Sequence, residues 1–429
     1  MHGSRWLLTG LSSLVVLTGI VHAETDDAFL ERLQKAAFGY FWHEVNPENG
    51  LVRDRSAPGA PCSIAAVGFG LSAIVIGIER EWVDRSTGRQ RVLRTLETLA
   101  RGPQGPDQDG MMGHRGWYYH FLEMDSGLRA WQCELSSMDT ALLLAGVLDA
   151  SLFFEESHPG EARIRTLSRQ LVDRVDWQWM ANGEATLTMG WRPEAGFLES
   201  RWRGYNEAMI LYLLALGASA ESGISWEAWT SGYRWETHYG QSYVVFAPLF
   251  GHQYSHCWVD FRGIADAYMR RRGITYFENS RRATLAQRAY CIGQSARFPN
   301  YGPLEWGLTA CDGPDGYAAR GAPPPENDDG TLAPTAVGGS LPFAPEVCLP
   351  TLRALETNHR DRLWGPYGFR DAFNRTRDWW ATDTLGIDQG AILLMAENYR
   401  TGSVWRRMKR GGVLERGLKR AGFAEATGP

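Results

Sequence analysis

Three stretches of this chain are apolar almost from end to end at helical length: residues 63–82, 136–154 and 205–218. A helix without a polar face cannot rest against water, so each must be enclosed by other elements. Between them lie charged, amphipathic stretches such as 92–101 and 162–175, suited to an outer layer with one wetted face. Phe29, Leu30, Leu33, Ala37, Phe38 and Phe41 recur at three- and four-residue spacing and stripe one face of a further helix. Later helical candidates are 259–271, 281–292, 345–356 and 388–399. About a dozen helices, alternately buried and amphipathic, predict an all-α fold of two concentric helical layers.

No composition break, linker or charge run divides the chain, so residues 24–429 read as one domain. Long loops rich in Gly, Pro, Trp and Tyr run through 102–117, 177–205, 233–253 and 301–340. Loops of that length in a compact domain usually carry function, and 321–340 reads as the rim of a site. Residues 1–23 read as a secretory signal: Arg5, an apolar run from Trp6 to Ile20, then Val21-His22-Ala23 before an acidic start. The expectation is a protein exported to the periplasm or beyond, with no membrane anchor, working as a monomer. A formal charge of −5 argues against nucleic acid as a partner. The six cysteines show no metal-ribbon spacing and read as small buried residues, with room for one bridge.

Nucleophile and phosphate motifs are missing: there is no G-x-S-x-G, no P-loop and no H-E-x-x-H. His252 and His256 lie four apart but lack a third ligand at a recognisable spacing, so they read as hydrogen-bonding histidines, with no metal expected. What is plentiful is acid at the start of apolar runs. Glu134 and Asp139 open the second apolar stretch, Glu207 opens the third, and Asp388 precedes the last. A carboxylate there is costly unless paired or hydrogen-bonded, and capping is the ordinary explanation of each one alone. Several together, in a chain with 18 tryptophans, suit glycoside hydrolysis. That chemistry needs one protonated acid at the leaving oxygen and one carboxylate acting on water or on the sugar. Aromatic faces would stack on the rings.

The motifs resemble those of the bacterial glucoamylase-like domain, in particular glycoside hydrolase family 144, the β-1,2-glucanases. They include Tyr40-Phe-Trp-His-Glu44, Gly50-Leu-Val-Arg-Asp-Arg55, Glu134-Leu-Ser-Ser-Met-Asp-Thr-Ala141, Tyr205-Asn-Glu-Ala-Met209 and Leu249-Phe-Gly-His-Gln-Tyr-Ser-His256. Val259-Asp-Phe-Arg262, Trp306-Gly-Leu-Thr-Ala310, Tyr367-Gly-Phe-Arg-Asp-Ala-Phe373 and Gly386-Ile-Asp-Gln-Gly390 follow in the same order. The resemblance implies an (α/α)6 toroid and hydrolysis of β-1,2-glucan by inversion, endo-acting and without a cofactor. It implies Glu207 as general acid, with Asp139 or Asp388 as the base and Glu134 in reserve. Arg53, His256, Arg262, Trp306, Tyr367 and Gln389 are expected to line the cleft. Exo release of sophorose, transglycosylation, and glucan binding without catalysis are the competing readings.

Overall fold

The computed structural model describes residues 24–219, 222–410 and 412–426; the signal read at 1–23 lies outside them. The helices run α1 (Asp26–His43), α2 (Ile64–Glu79), α3 (Arg85–Arg101), α4 (Ser137–Phe153), α5 (Pro159–Asp173), α6 (Trp177–Ala181), α7 (Met209–Ala218) and α8 (Trp226–Thr230). They continue with α9 (Ala267–Arg272), α10 (Tyr276–Gly293), α11 (Pro334–Gly338), α12 (Pro345–Leu363), α13 (Gly386–Arg400), α14 (Ser403–Met408) and α15 (Gly412–Arg420).

The three apolar stretches and the last candidate become α2, α4, α7 and α13, each buried nearly throughout. They form the inner wall together with α11 and the 3-10 turns Leu249–His252 and Tyr254–Cys257, and α13 closes the ring on α2. Outside them α1, α3, α5, α10 and α12 each bury one face and wet the other. This is the expected (α/α)6 toroid, with short antiparallel strands only in the loops. No described helix is long and apolar enough to cross a membrane.

Two expected helices were displaced by local polar contacts. Of 259–271 only Ala267–Arg272 is helical, because the Asp260 carboxylate accepts from the Arg262 N–H and Gly263 turns the chain at φ 69°. In 205–218 the Asn206 side chain accepts from the Ala208 N–H, and the helix starts at Met209. That delay leaves Glu207 on a turn at the mouth of α7.

Inner helices α2 and α4 touch backbone to backbone. A Cβ on Gly146 would stand 1.9 Å from the Gly68 carbonyl oxygen, and one on Gly68 would stand 2.3 Å from that of Leu142. Neither obstacle is a side chain that could swing away. Gly146→Ala is therefore expected to cost about 3 kcal/mol or more, read as a lower urea midpoint. An unchanged midpoint would mean that the two helices separate cheaply.

The inner helices present two different ends. At the C-terminal ends of α2 and α4, Arg407 binds Glu79 and Asp149 at 2.7 Å each, and at that of α13, Arg80 binds Glu397 at 2.7 Å. Cations at helix C-termini answer the local dipole and close that end. The N-terminal ends start from Ser63, which caps α2, and Ser136, which caps α4. Here the carboxylates gather.

Candidate active site

Asp139 lies in the first turn of α4 and Asp388 in that of α13, while Glu207 precedes α7. The turn bearing Glu207 is fixed by Ser255, whose hydroxyl donates to the Glu207 carbonyl at 2.9 Å and accepts from the Ile210 N–H at 3.0 Å. The extended segment around Asp54 runs beside the start of α13, with the Gly386 N–H donating to the Asp54 carbonyl at 2.8 Å. Glu134 immediately precedes the short strand Leu135–Ser136 that leads into α4. His120, whose N–H donates to the Glu134 carbonyl at 2.9 Å, precedes the strand Phe121–Leu122 that pairs with Cys62–Ser63 ahead of α2.

These groups share one electrostatic neighbourhood. Burial, reinforced by Asp139, pushes the Glu207 carboxyl up to about 7. Its Oε2 is enclosed and has no hydrogen-bond partner among the described residues. Asp371 and Asp388 are buried side by side; burial lifts both above the usual carboxylate range, with the Asp312 charge adding to the rise of Asp371 and the Asp371 charge to that of Asp388, so the pair retains a proton. The Asp312 N–H donates to Asp371 at 2.8 Å, and Arg55 binds Asp312 at 2.8 Å and Asp54 at 3.1 Å.

Across the cluster stands a cation. Burial opposes charge on His120, but Asp139, Glu134 and Asp54 outweigh it and hold the imidazole at about 9. Its Nδ1 is 3.0 Å from Glu134 and its Nε2 is 3.6 Å from Asp139. The His120 hydrogen bond in turn holds Glu134 down at about 2. Glu134 is thus an anion paired to His120 and, at 3.5 Å, to Arg192; Asp139 also accepts from the Ser136 hydroxyl. Tyr254 and Tyr317 both feel the Glu207 and the Asp388 charges.

The structure therefore brings together Glu134, Asp139, Glu207 and Asp388. Arg53 and Tyr367 also meet, but at Glu44: the Tyr367 hydroxyl donates to it at 2.7 Å and Arg53 lies 3.7 Å away. Four expected cleft residues are elsewhere. Trp306 is fully buried and donates to the Thr351 hydroxyl at 2.9 Å. His256 is fully buried among Phe261, Phe277 and Phe343, within 3.2 Å of the Ser280 hydroxyl, and burial holds its imidazole near 3, in the neutral form. Gln389 is buried and donates to the Phe369 carbonyl at 2.8 Å. Arg262 pairs with Asp260 at 2.8 Å and stacks on Trp405, beyond the C-terminal end of α13. That helix has 15 residues, so its two ends are about 22 Å apart.

His252 bonds the Phe246 carbonyl at 3.1 Å, and all six cysteines are buried and unpaired, so no bridge forms. Asp54, His120, Asp371, Tyr254 and Tyr317 were not singled out from sequence. Asp54, Asp371 and Tyr254 stand inside quoted motifs, whereas His120 and Tyr317 carry no local signal.

Residues 199–411 match the family model "Glycoamylase", described as "Putative glucoamylase". A crystal structure of a Bacteroides uniformis protein given the same description is 33% identical and superposes with a TM-score of 0.86, over 95% of this chain and 100% of that one. The chain belongs to the glucoamylase-like family. An endo-β-1,2-glucanase of Chitinophaga pinensis, solved with sophorotriose and glucose, is 28% identical with a TM-score of 0.85, over 94% of this glucoamylase-like chain and 99% of that one. The exo β-1,2-glucooligosaccharide sophorohydrolase (non-reducing end) of Parabacteroides distasonis is 31% identical over 434 residues, 92% of this chain. This chain spans 58% of that relative's length.

Proposed function

We propose that this protein hydrolyses β-1,2-linked glucan by inversion, with Glu207 as general acid and the Asp371–Asp388 pair activating water through Asp388. The observation that carries the reading is the Glu207 carboxyl, held at about 7 by burial with an unpartnered oxygen at the mouth of an apolar helix. Such an acid keeps its proton near neutrality and can give it away. As the bond from the anomeric carbon to the bridging oxygen breaks, the Glu207 proton passes to that oxygen. Water attacks the same carbon from the opposite face and loses a proton to Asp388, which is the ionised member when the one proton of the pair sits on Asp371. Inversion needs the two carboxyls about 6.5–9.5 Å apart, with water between them. Asp139, beside the His120 cation, instead supports Glu207 by raising it.

The substrate comes from the two relatives, which act on β-1,2-glucans. Endo cleavage is the first reading; the 31% identity to a sophorohydrolase favours exo release of sophorose as the second. An export signal at 1–23 would place either reaction in the periplasm or outside the cell. The test follows products from linear β-1,2-glucan with time. An early ladder of oligosaccharides means endo cleavage, and sophorose alone from the start means exo. No new reducing ends would overturn the hydrolase reading.

The acid also sets a pH limit. Glu207 works only while protonated, so turnover is expected to fall about tenfold per pH unit once the pH rises past about 7. A profile flat to pH 9 would remove Glu207 from the role.

A further inference from the structure

Two aromatic side chains stand exposed at the carboxylate cluster, one on each side. Trp131 is 68% exposed, and its ring packs on Phe121 at 5.1 Å; Phe121 in turn lies flat on His120 at 4.0 Å and 12°. Trp131 is thus two ring spacings from the imidazole that contacts Glu134 and Asp139. Tyr317 is 59% exposed on the Asp371–Asp388 side, in the hairpin that pairs Cys311 with Ala318 and whose Asp312 N–H donates to Asp371 at 2.8 Å.

Exposed aromatics often reflect loose loops, but both of these are held. Trp131 has φ 54°, a left-handed conformation that is costly for a tryptophan and persists only when its surroundings impose it. They do so here: the Ala130 N–H donates to Phe121 at 3.0 Å, and Arg129 donates to the Cys133 carbonyl at 2.7 Å. The Tyr317 hairpin is tied from beneath by Arg320, only 2% exposed, which donates to the Cys311 carbonyl at 2.7 Å and grips Asp329 at 2.9 and 3.0 Å. Backbones fixed this firmly present their rings at set positions while leaving the faces open to solvent.

We propose that Trp131 and Tyr317 are paired stacking platforms for glucosyl rings on the two sides of the scissile bond, Trp131 on the Asp139 side and Tyr317 on the Asp388 side. The inference rests on the hydrolase reading above and adds the residues that hold the chain. Pyranose faces rich in C–H lie well on aromatic rings, and a ring already fixed in place loses little freedom on binding. With one platform on each side, a ligand must extend past the carboxylates in both directions to use both.

The experiment measures binding of linear β-1,2-glucan by calorimetry in a Glu207→Gln background, where the ligand survives. Trp131→Ala and Tyr317→Ala are each expected to weaken binding about tenfold, with Trp131→Phe recovering most of the loss. Tyr239→Ala, which removes another exposed ring, is the control and should bind as the parent does. Both rings are exposed, so thermal midpoints should hold. Alanine variants that bind as tightly as the parent, while the wild type releases products, overturn the platforms and leave the hydrolase reading standing. A wild type that releases nothing overturns that reading instead.

Discussion

Glu207→Gln should lower the hydrolysis rate by about 10²–10⁴-fold while leaving glucan binding within a few-fold of wild type. Glutamine keeps the shape of the protonated acid and its capacity for hydrogen bonding, but it has no proton to give. The Glu207 carboxyl is held up at about 7 by burial, so the wild-type group is largely neutral in mildly acidic buffer. Neutral glutamine therefore replaces a neutral acid, and the fold should lose nothing. The direction of linkage is specific: a carboxyl raised above its unfolded value destabilises the folded state as pH rises through 4.5 and beyond, because the unfolded chain ionises first. The variant should thus unfold at the same temperature as wild type at pH 4 and at a higher one at pH 8. Wild-type turnover in Glu207→Gln would end the assignment. Lost turnover together with lost binding would make Glu207 a substrate contact instead of the acid.

The architecture was legible because enclosure leaves a mark on composition. A helix such as α2 can hold Ile, Val, Phe and Gly on every face only if every face is covered. Most of the carboxylate cluster was legible for a related reason: an acid just before an apolar run sits at a helix mouth, and parallel inner helices bring such mouths together. Sequence could not separate a buried polar side chain from one facing a cleft. Trp306 meets Thr351, and Gln389 meets the Phe369 carbonyl, across long separations in the chain that no local pattern records. His256 shares a motif with Tyr254, yet Tyr254 reaches the cluster while His256 turns into a cage of phenylalanines. His120 shows the converse: its importance comes from Glu134 and Asp139, which a separate strand and helix deliver.

The partnership of Asp371 with Asp388 leads to the second large effect. Asp388→Asn should reduce turnover by about 10²–10⁴-fold, since an amide cannot take a proton from water. Asp371→Asn should instead move the pH profile, and its sign follows from the cause of the shift. Beyond burial, the Asp388 carboxyl is held up by the Asp371 charge and by the hydrogen bond between the two. An asparagine at 371 removes the like charge, so Asp388 ionises at lower pH and the acid-side limb of the profile moves to lower pH. The basic limb should stay in place, because it belongs to Glu207, whose carboxyl is raised by burial and Asp139 and not by Asp371. A merely structural role for Asp371 would lower activity at every pH alike and leave both limbs where they were. If Asp388→Asn retains activity while Asp139→Asn loses it, the water-activating group is Asp139 beside His120, and the buried pair serves only to shape the cleft.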